Sequence, residues 1–174
     1  MADMSFQGNG AGLGLRALSV LIGLFLILMA MDKVGAGWLI DSAPLLEQLQ
    51  GWHGVLVGIV QQNPDGGLLA GLADRWRGFT FGKSVWYLEA ICIPYAPVFA
   101  RIVPVAEFAA GAALVVGFSV RLTAGLALLM VLNFHFAMGI IFTFDYLMNA
   151  YGPPIVGSLL ALTMGGRALP FSLR

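Results

Sequence analysis

Residues 102–121 read IVPVAEFAAGAALVVGFSVR, and this stretch decides the fold class. The run Ile102–Val120 is interrupted by a single charged residue, Glu107, and Arg121 ends it. A helix that crosses the hydrocarbon layer of a bilayer takes about 20 predominantly apolar residues. The stretch therefore predicts a membrane-spanning helix with one carboxylic acid at membrane depth.

Three more apolar runs flank this stretch: Ala17–Met31, Leu122–Phe144 and Tyr146–Met164. We predict spans at about 15–33, 98–120, 122–144 and 146–165, which together make one membrane domain over residues 1–174. The predicted fold is all-α, an integral membrane four-helix bundle. A cleaved signal peptide is the competing interpretation of the first run, because Val34-Gly35-Ala36 resembles a cleavage site.

Composition supports the membrane interpretation. Hydrophobic residues make up 59% of the 174 residues and charged residues only 10%, whereas a soluble domain carries about 25% charged residues. Nine basic and nine acidic residues give a net charge of zero, so no nucleic-acid partner is expected. Cys92 is the single cysteine, which excludes an internal disulfide and a Cys-rich metal site. No metal site is predicted.

The segment between the first two spans, residues 34–97, has a different pattern. Large apolar residues recur with spacings of 4, 3, 4 and 3, namely Leu45, Leu49, Trp52, Leu56 and Ile59. This is one stripe of an amphipathic helix. Asn63–Gly67 predicts a turn, and Leu68–Trp76 a second short helix. We expect an amphipathic helical insert on the outer face, with a flexible loop as the alternative.

Charge placement predicts the orientation of the chain. With four spans, four arginines fall on one side: Arg16, Arg121, Arg167 and Arg174. Positive charge favours the cytoplasmic side of a membrane, so we expect both termini in the cytoplasm. The tryptophans and tyrosines all fall on the opposite, outer side, as aromatic belts do.

Three polar residues share a depth in the second and third spans. Counting from the turn between these spans, Glu107 lies level with Asn133 and His135, roughly 18–20 Å from the turn at 1.5 Å per residue. An ionisable group inside a span is a candidate for function. We predict that Glu107 is protonated or paired with His135 or Asn133. The alternative is that these residues only tie helices together by hydrogen bonds.

A second group of polar residues is predicted at the outer mouth of the bundle. Lys33, Arg101 and His53 could meet there and bind a small anion, since an anion needs donors and positive charge. The alternative is a solvated rim in which these groups pair with carboxylates such as Asp32 and Glu89.

The motif from Pro104 to Arg121 resembles the DoxX/DoxD family of membrane proteins. It contains Glu107, Gly111 four residues later, an apolar run, Gly117 and then Arg121 at the turn. Arg16 and Lys33 at the ends of the first span add a weaker match. The resemblance implies a four-helix membrane bundle in a bacterial or archaeal cytoplasmic (inner) membrane. The long insert is more similar to the DoxD branch than to short DoxX proteins.

The resemblance also implies a reaction. DoxD-like proteins form the larger subunit of thiosulfate:quinone oxidoreductase and work with a small DoxA-like partner. On this hypothesis the chain oxidises thiosulfate, or a similar small reduced anion, at the outer face and passes the electrons to quinone as acceptor. Lys33, Arg101 and His53 would then bind the anion, whereas Glu107, His135 and Asn133 would serve catalysis by binding the quinone and relaying protons.

Two other functions stay open. The chain carries no sequence motif for a bound redox cofactor, and one cysteine cannot form a dithiol couple. Electron transfer is therefore direct, or a partner carries the redox group, or the chain is not an enzyme. The main alternative is a non-catalytic accessory subunit of a larger respiratory or photosynthetic membrane complex. A small transporter is the third possibility and requires a water path past Glu107.

Overall fold

The computed structural model describes residues 5–61, 68–166 and 169. These residues form six α-helices: α1 (Ser5–Gly35), α2 (Ala43–Gln61), α3 (Leu68–Tyr87), α4 (Ala96–Val116), α5 (Val120–Ala137) and α6 (Pro153–Gly165). No β-strand occurs within the described ranges. The all-α prediction is confirmed.

Three helices are long and apolar enough to cross a membrane: Gly10–Gly35 of α1, α4 and α5. Large apolar side chains cover their outward surfaces; Leu28 and Leu129 are both 66% exposed. Such a surface is suited to lipid and not to water. α6 has only 13 residues, about 20 Å at 1.5 Å per residue, which is shorter than the hydrocarbon layer. It packs against α5 and α1.

Two predicted span boundaries differ from the structure. The third span was expected to reach Phe144, but α5 ends at Ala137 because Gly139 takes a left-handed conformation with φ of 69°. A β-carbon there would lie 2.6 Å from a methyl of Leu56. The fourth span was expected from Tyr146, but α6 begins at Pro153, because proline suits the first helical turn and not the interior. Short 3₁₀ turns fill the interval.

The insert between α1 and α4 is helical, as predicted. α2 buries the expected leucine stripe, Leu45, Leu49 and Leu56. α3 runs to Tyr87, well past the predicted end at Trp76, and continues through a π-helical turn, Leu88–Cys92, towards α4. We call α2, α3 and this turn the cap. The predicted turn at 63–67 lies outside the described residues.

α1 and α4 approach each other very closely. A β-carbon built on Gly23 would lie 2.6 Å from the carbonyl oxygen of Gly111, and one on Gly111 would lie 2.6 Å from that of Gly23. Small residues permit such backbone contact between helices in lipid. This contact fixes α1 against the face of α4 that carries Glu107, four residues before Gly111.

Arginines hold the end of the bundle remote from the cap. Arg16 donates hydrogen bonds to the carbonyl oxygens of Leu114 and Val115, at 3.1 and 2.7 Å. Arg121 donates to the carbonyl of Thr163 at 2.8 Å. These carbonyls lie in the last turns of α4 and α6, where helices leave acceptors unpaired. Arg16 and Arg121, predicted from the sequence as orientation signals, thus cap helices in the structure. Arg167 and Arg174 lie outside the described residues.

Candidate functional site

An ion pair inside the bundle joins α1 to α4. Nζ of Lys33 lies 2.8 Å from each carboxylate oxygen of Glu107. Lys33 is 9% exposed and Glu107 5% exposed. Nζ also lies 5.6 Å from the centre of the Trp38 ring, within reach of a cation–π interaction. A buried charge needs a partner of opposite sign, and each of these residues supplies it to the other.

The predicted pairing of Glu107 with His135 or Asn133 is not what the structure contains. Lys33, expected at the outer mouth, reaches the carboxylate instead, because α4 begins well beyond the end of α1 on the cap side. Gly35 ends α1 only two residues after Lys33, whereas Glu107 lies 11 residues into α4. This offset, added to the length of the lysine side chain, brings the two charges to one level.

The ion pair faces a cavity of about 400 Å³, which we call the polar cavity. Its walls come from α1, α2, α4, α5 and α6. Polar groups converge on it from several elements: Asp32, Lys33, Gln48, Glu107, His135 and Asn149. Aromatic rings of Phe25, Trp38, Trp52 and Phe134 form much of the remaining surface. Volume and lining are typical of a small-molecule site, a mostly apolar concavity with a few convergent polar groups.

His135 lines the polar cavity from α5 and is 6% exposed. Its Nδ1 is the one buried side-chain nitrogen or oxygen without a hydrogen-bond partner among the described residues. A buried N–H without an acceptor is rarer than an acceptor without a donor. We therefore assign the proton of the neutral ring to Nε2 and leave the buried Nδ1 as the acceptor. His135 thus presents one donor for a ligand. The ring of Tyr146 packs against the imidazole, with the two ring centres 5.5 Å apart.

Asn133 belongs to a different cavity, although sequence reasoning placed it beside Glu107. Its side-chain oxygen accepts a hydrogen bond from the hydroxyl of Tyr87 in the cap. It lines a second cavity of about 320 Å³ between α4 and α5, which we call the lipid-side groove. Cys92 also lines this groove, and burial raises the pKa of its thiol. Phe134 contributes to the walls of both cavities.

The three predicted anion-binding residues are not assembled into one site. Lys33 is already neutralised by Glu107. His53 lies in the cap, where Nε2 is 2.7 Å from a carboxylate oxygen of the exposed Glu89. Arg101 is exposed and donates to the carbonyl of Pro97 in its own helix. The alternative interpretation, in which these residues pair with carboxylates at a solvated rim, holds for His53.

Sequence reasoning missed the aromatic and amide contributors to the polar cavity. Trp38 and Tyr151 were interpreted only as residues of a headgroup belt, and Trp52 also as part of the amphipathic stripe, yet all three line this cavity. The position of Trp38, five residues after Lys33, was the available signal, because an indole ring is a good partner for an ammonium group. Gln48 and Asn149 carried no signal in the sequence.

The chain matches no protein-family model, no curated protein and no solved structure. The resemblance to the DoxX/DoxD family therefore stays a prediction. In the polar cavity, a buried ion pair and the imidazole of His135 border a space large enough for a small ring.

Proposed function

We propose that this chain is a membrane oxidoreductase subunit that binds the headgroup of a quinone in the polar cavity and supplies the hydrogen bonds and protons for its reduction. The electrons come from thiosulfate or a similar small reduced anion. One observation carries the proposal. The Lys33–Glu107 ion pair and His135 all line one cavity whose other walls are largely aromatic.

The chemistry of a quinone suits these groups. A quinone is neutral and carries two carbonyl oxygens, each of which accepts hydrogen bonds. His135 is a donor on the cavity wall, and Nζ of Lys33 can exchange its long hydrogen bond to the carbonyl of Met29, at 3.4 Å, for one to the quinone. Reduction to the quinol consumes two electrons and two protons. Glu107 and His135 can each hold and pass a proton, as general acids in proteins do. Aromatic rings stack on the flat headgroup.

The electron donor binds outside the polar cavity. Within the cavity the ammonium group of Lys33 is neutralised by Glu107, and Asp32 adds a negative charge, so a dianion such as thiosulfate is repelled there. Joining two thiosulfate ions through a sulfur–sulfur bond releases the two electrons that a quinone takes up. We assign this step to the outer surface or to a small DoxA-like partner subunit, which also provides the path for the electrons.

The topology that goes with this function is a four-helix membrane bundle with α6 as the short fourth member. The cap is the outer-face insert over residues 34–97, and both termini lie in the cytoplasm. The membrane is a bacterial or archaeal cytoplasmic membrane. Arg16 and Arg121 at the end remote from the cap support this orientation, because positive residues favour the cytoplasmic side.

The test is quinone reduction by the purified chain, with and without its co-purifying subunits, in lipid nanodiscs. Decylubiquinone absorbance is followed after thiosulfate is added. We expect His135→Phe and Glu107→Gln to lower the rate by about 100-fold or more, the usual contribution of a positioned proton donor. Glu47→Gln, which changes an exposed carboxyl group of α2 outside both cavities, is the matched control and keeps the wild-type rate.

Two outcomes contradict the proposal. The first is a complex that reduces quinone at the wild-type rate when it contains folded His135→Phe. The second is no reduction in any preparation, together with stable membership in a larger complex whose activity is unaffected by these changes. That result establishes the alternative, an accessory subunit of a respiratory or photosynthetic complex.

A further inference from the structure

The lipid-side groove is separate from the polar cavity and has its own entrance. It lies between α4 and α5, with α2 and the π-helical turn above it. Ile102 and Leu129 line the groove and are 57% and 66% exposed on two membrane-spanning helices. The entrance therefore faces the acyl chains of the bilayer. A molecule dissolved in the lipid reaches this groove without passing through water.

The groove is large enough for a ring and the first part of a tail. Its volume is about 320 Å³, whereas an apolar cavity of about 150 Å³ takes up a benzene molecule. Most of its lining is aliphatic or aromatic, including Val103 and Met130. Such walls favour hydrocarbon over water.

Asn133 supplies a specific polar contact in this apolar space. Its side-chain oxygen is occupied by the hydroxyl of Tyr87, which fixes the orientation of the amide. The amide nitrogen makes no hydrogen bond to any residue that the structure describes. A donor held in a hydrocarbon environment without an acceptor is costly. The groove is thus prepared for a ligand that brings an acceptor oxygen to Asn133.

The upper end of the groove excludes charged headgroups. Leu45, Leu49, Cys92 and Ala137 line it there, and all four are buried. No side chain that is charged at neutral pH lines the groove among the described residues. A phospholipid placed with its ester carbonyl at Asn133 would have to bury its phosphate against these residues, which is strongly unfavourable. A neutral molecule with a small carbonyl-bearing end meets no such cost.

We propose that the lipid-side groove is a binding site for a neutral, carbonyl-bearing lipid of the quinone type. A carbonyl oxygen of its ring accepts a hydrogen bond from Asn133, and its tail leaves between Ile102 and Leu129 into the bilayer. The inference rests on the proposed function for the identity of the ring only. Phe134 separates this site from the polar cavity, so the groove is a second binding site, distinct from the proposed reaction site.

The test is photolabelling in lipid nanodiscs with an azido-substituted decylbenzoquinone, followed by mass spectrometry of the labelled peptides. We expect label on the groove faces of α4 and α5 and displacement by decylubiquinone. Ala106→Trp fills the groove from α4 and lowers the labelling of these groove faces about tenfold. Asn133→Leu removes the donor and lowers it to a similar extent. Phe108→Trp places the same ring on an exposed face of α4, about 200° around the helix from Ala106, and leaves labelling unchanged.

Label confined to the polar cavity, or spread over all lipid-exposed faces, overturns the inference, as does wild-type labelling of folded Ala106→Trp. Displacement by phosphatidylglycerol but not by decylubiquinone assigns the groove to ordinary lipid and also overturns it. If Ala106→Trp does not fold, the test is made on the wild-type protein through the reactivity of Cys92. Cys92 is the only thiol, and decylubiquinone must slow its reaction with pyrene maleimide at least about threefold; an unchanged rate refutes the site.

This test is independent of catalysis. Specific labelling of the groove in a protein that never reduces quinone keeps the binding site and rejects the proposed function. Thiosulfate-driven reduction without label in the groove keeps the function and rejects the binding site in the groove.

Discussion

Asn133 and His135 are two residues apart on α5, and they open into different cavities. Asn133 faces the lipid-side groove and bonds to Tyr87, whereas His135 faces the polar cavity opposite the Lys33–Glu107 pair. Two residues along an α-helix are about 200° apart around its axis. Phe134 lies between them and contributes to both cavities, so α5 is the wall that divides a lipid-accessible space from a polar one.

The buried ion pair predicts a specific pattern of mutant stabilities. Lys33→Met alone leaves the Glu107 carboxylate buried without a partner, and Glu107→Leu alone leaves the Lys33 ammonium group buried without a partner. Breaking a buried ion pair in this way lowers the free energy of unfolding by about 3–5 kcal/mol. The double variant Lys33→Met/Glu107→Leu recovers most of this loss, because no charge stays buried. The measurement is the midpoint of thermal unfolding in detergent for the wild type, the two single variants and the double variant. Additive losses in the double variant would show that the two side chains do not depend on each other.

His135→Phe is expected to keep or raise the stability of the ligand-free protein. The change removes a buried Nδ1 that has no partner among the described residues, and such an atom costs about 1–3 kcal/mol. Phenylalanine preserves the ring that packs on Tyr146. The measurement is the midpoint of thermal unfolding without added quinone. A clear drop in this midpoint would mean that the imidazole has a partner in the folded protein.

Gly23 and Gly111 are expected to tolerate no side chain. Either Gly→Ala change places a β-carbon 2.6 Å from a backbone oxygen of the other helix, and overpacking of this kind costs roughly 1–3 kcal/mol. Gly157→Ala is the matched control in α6, since nothing lies within 4 Å of a β-carbon there. The control raises the free energy of unfolding by up to about 1 kcal/mol, because alanine loses less backbone freedom on folding than glycine does. Equal midpoints for all three variants would contradict the close contact of α1 and α4.

Cys92 is expected to react slowly with iodoacetamide in the folded protein. Only the thiolate reacts, and burial raises the pKa of the Cys92 thiol, so less thiolate is present at pH 8 than in an unfolded chain. The rate should therefore rise further above pH 9, where a free thiol is already mostly ionised. The comparison is the alkylation rate of folded and detergent-denatured protein between pH 7 and 10. Equal rates at pH 8 would place the thiol in water.

Much of the architecture could be predicted from local pattern. The low charge and the long apolar runs indicated membrane helices, because no other environment accepts so much uncovered hydrocarbon. The leucine stripe of the insert located α2 and its buried face. The end of α5 and the start of α6 were placed wrongly; an apolar run such as Leu122–Phe144, for example, does not reveal that Gly139 packs against Leu56 and turns the chain.

The amino-acid sequence by itself determined that Glu107, Asn133 and His135 lie within apolar helices and require partners there. Only the tertiary structure decided which partners. The offset of α4 along α1, set by the contact of Gly23 with Gly111, brings Lys33 to Glu107. The rotation of α5 then sends Asn133 and His135 to opposite sides. Hydrophobic pattern fixes which residues leave water, but shift and rotation between helices depend on side-chain packing, which no single segment encodes.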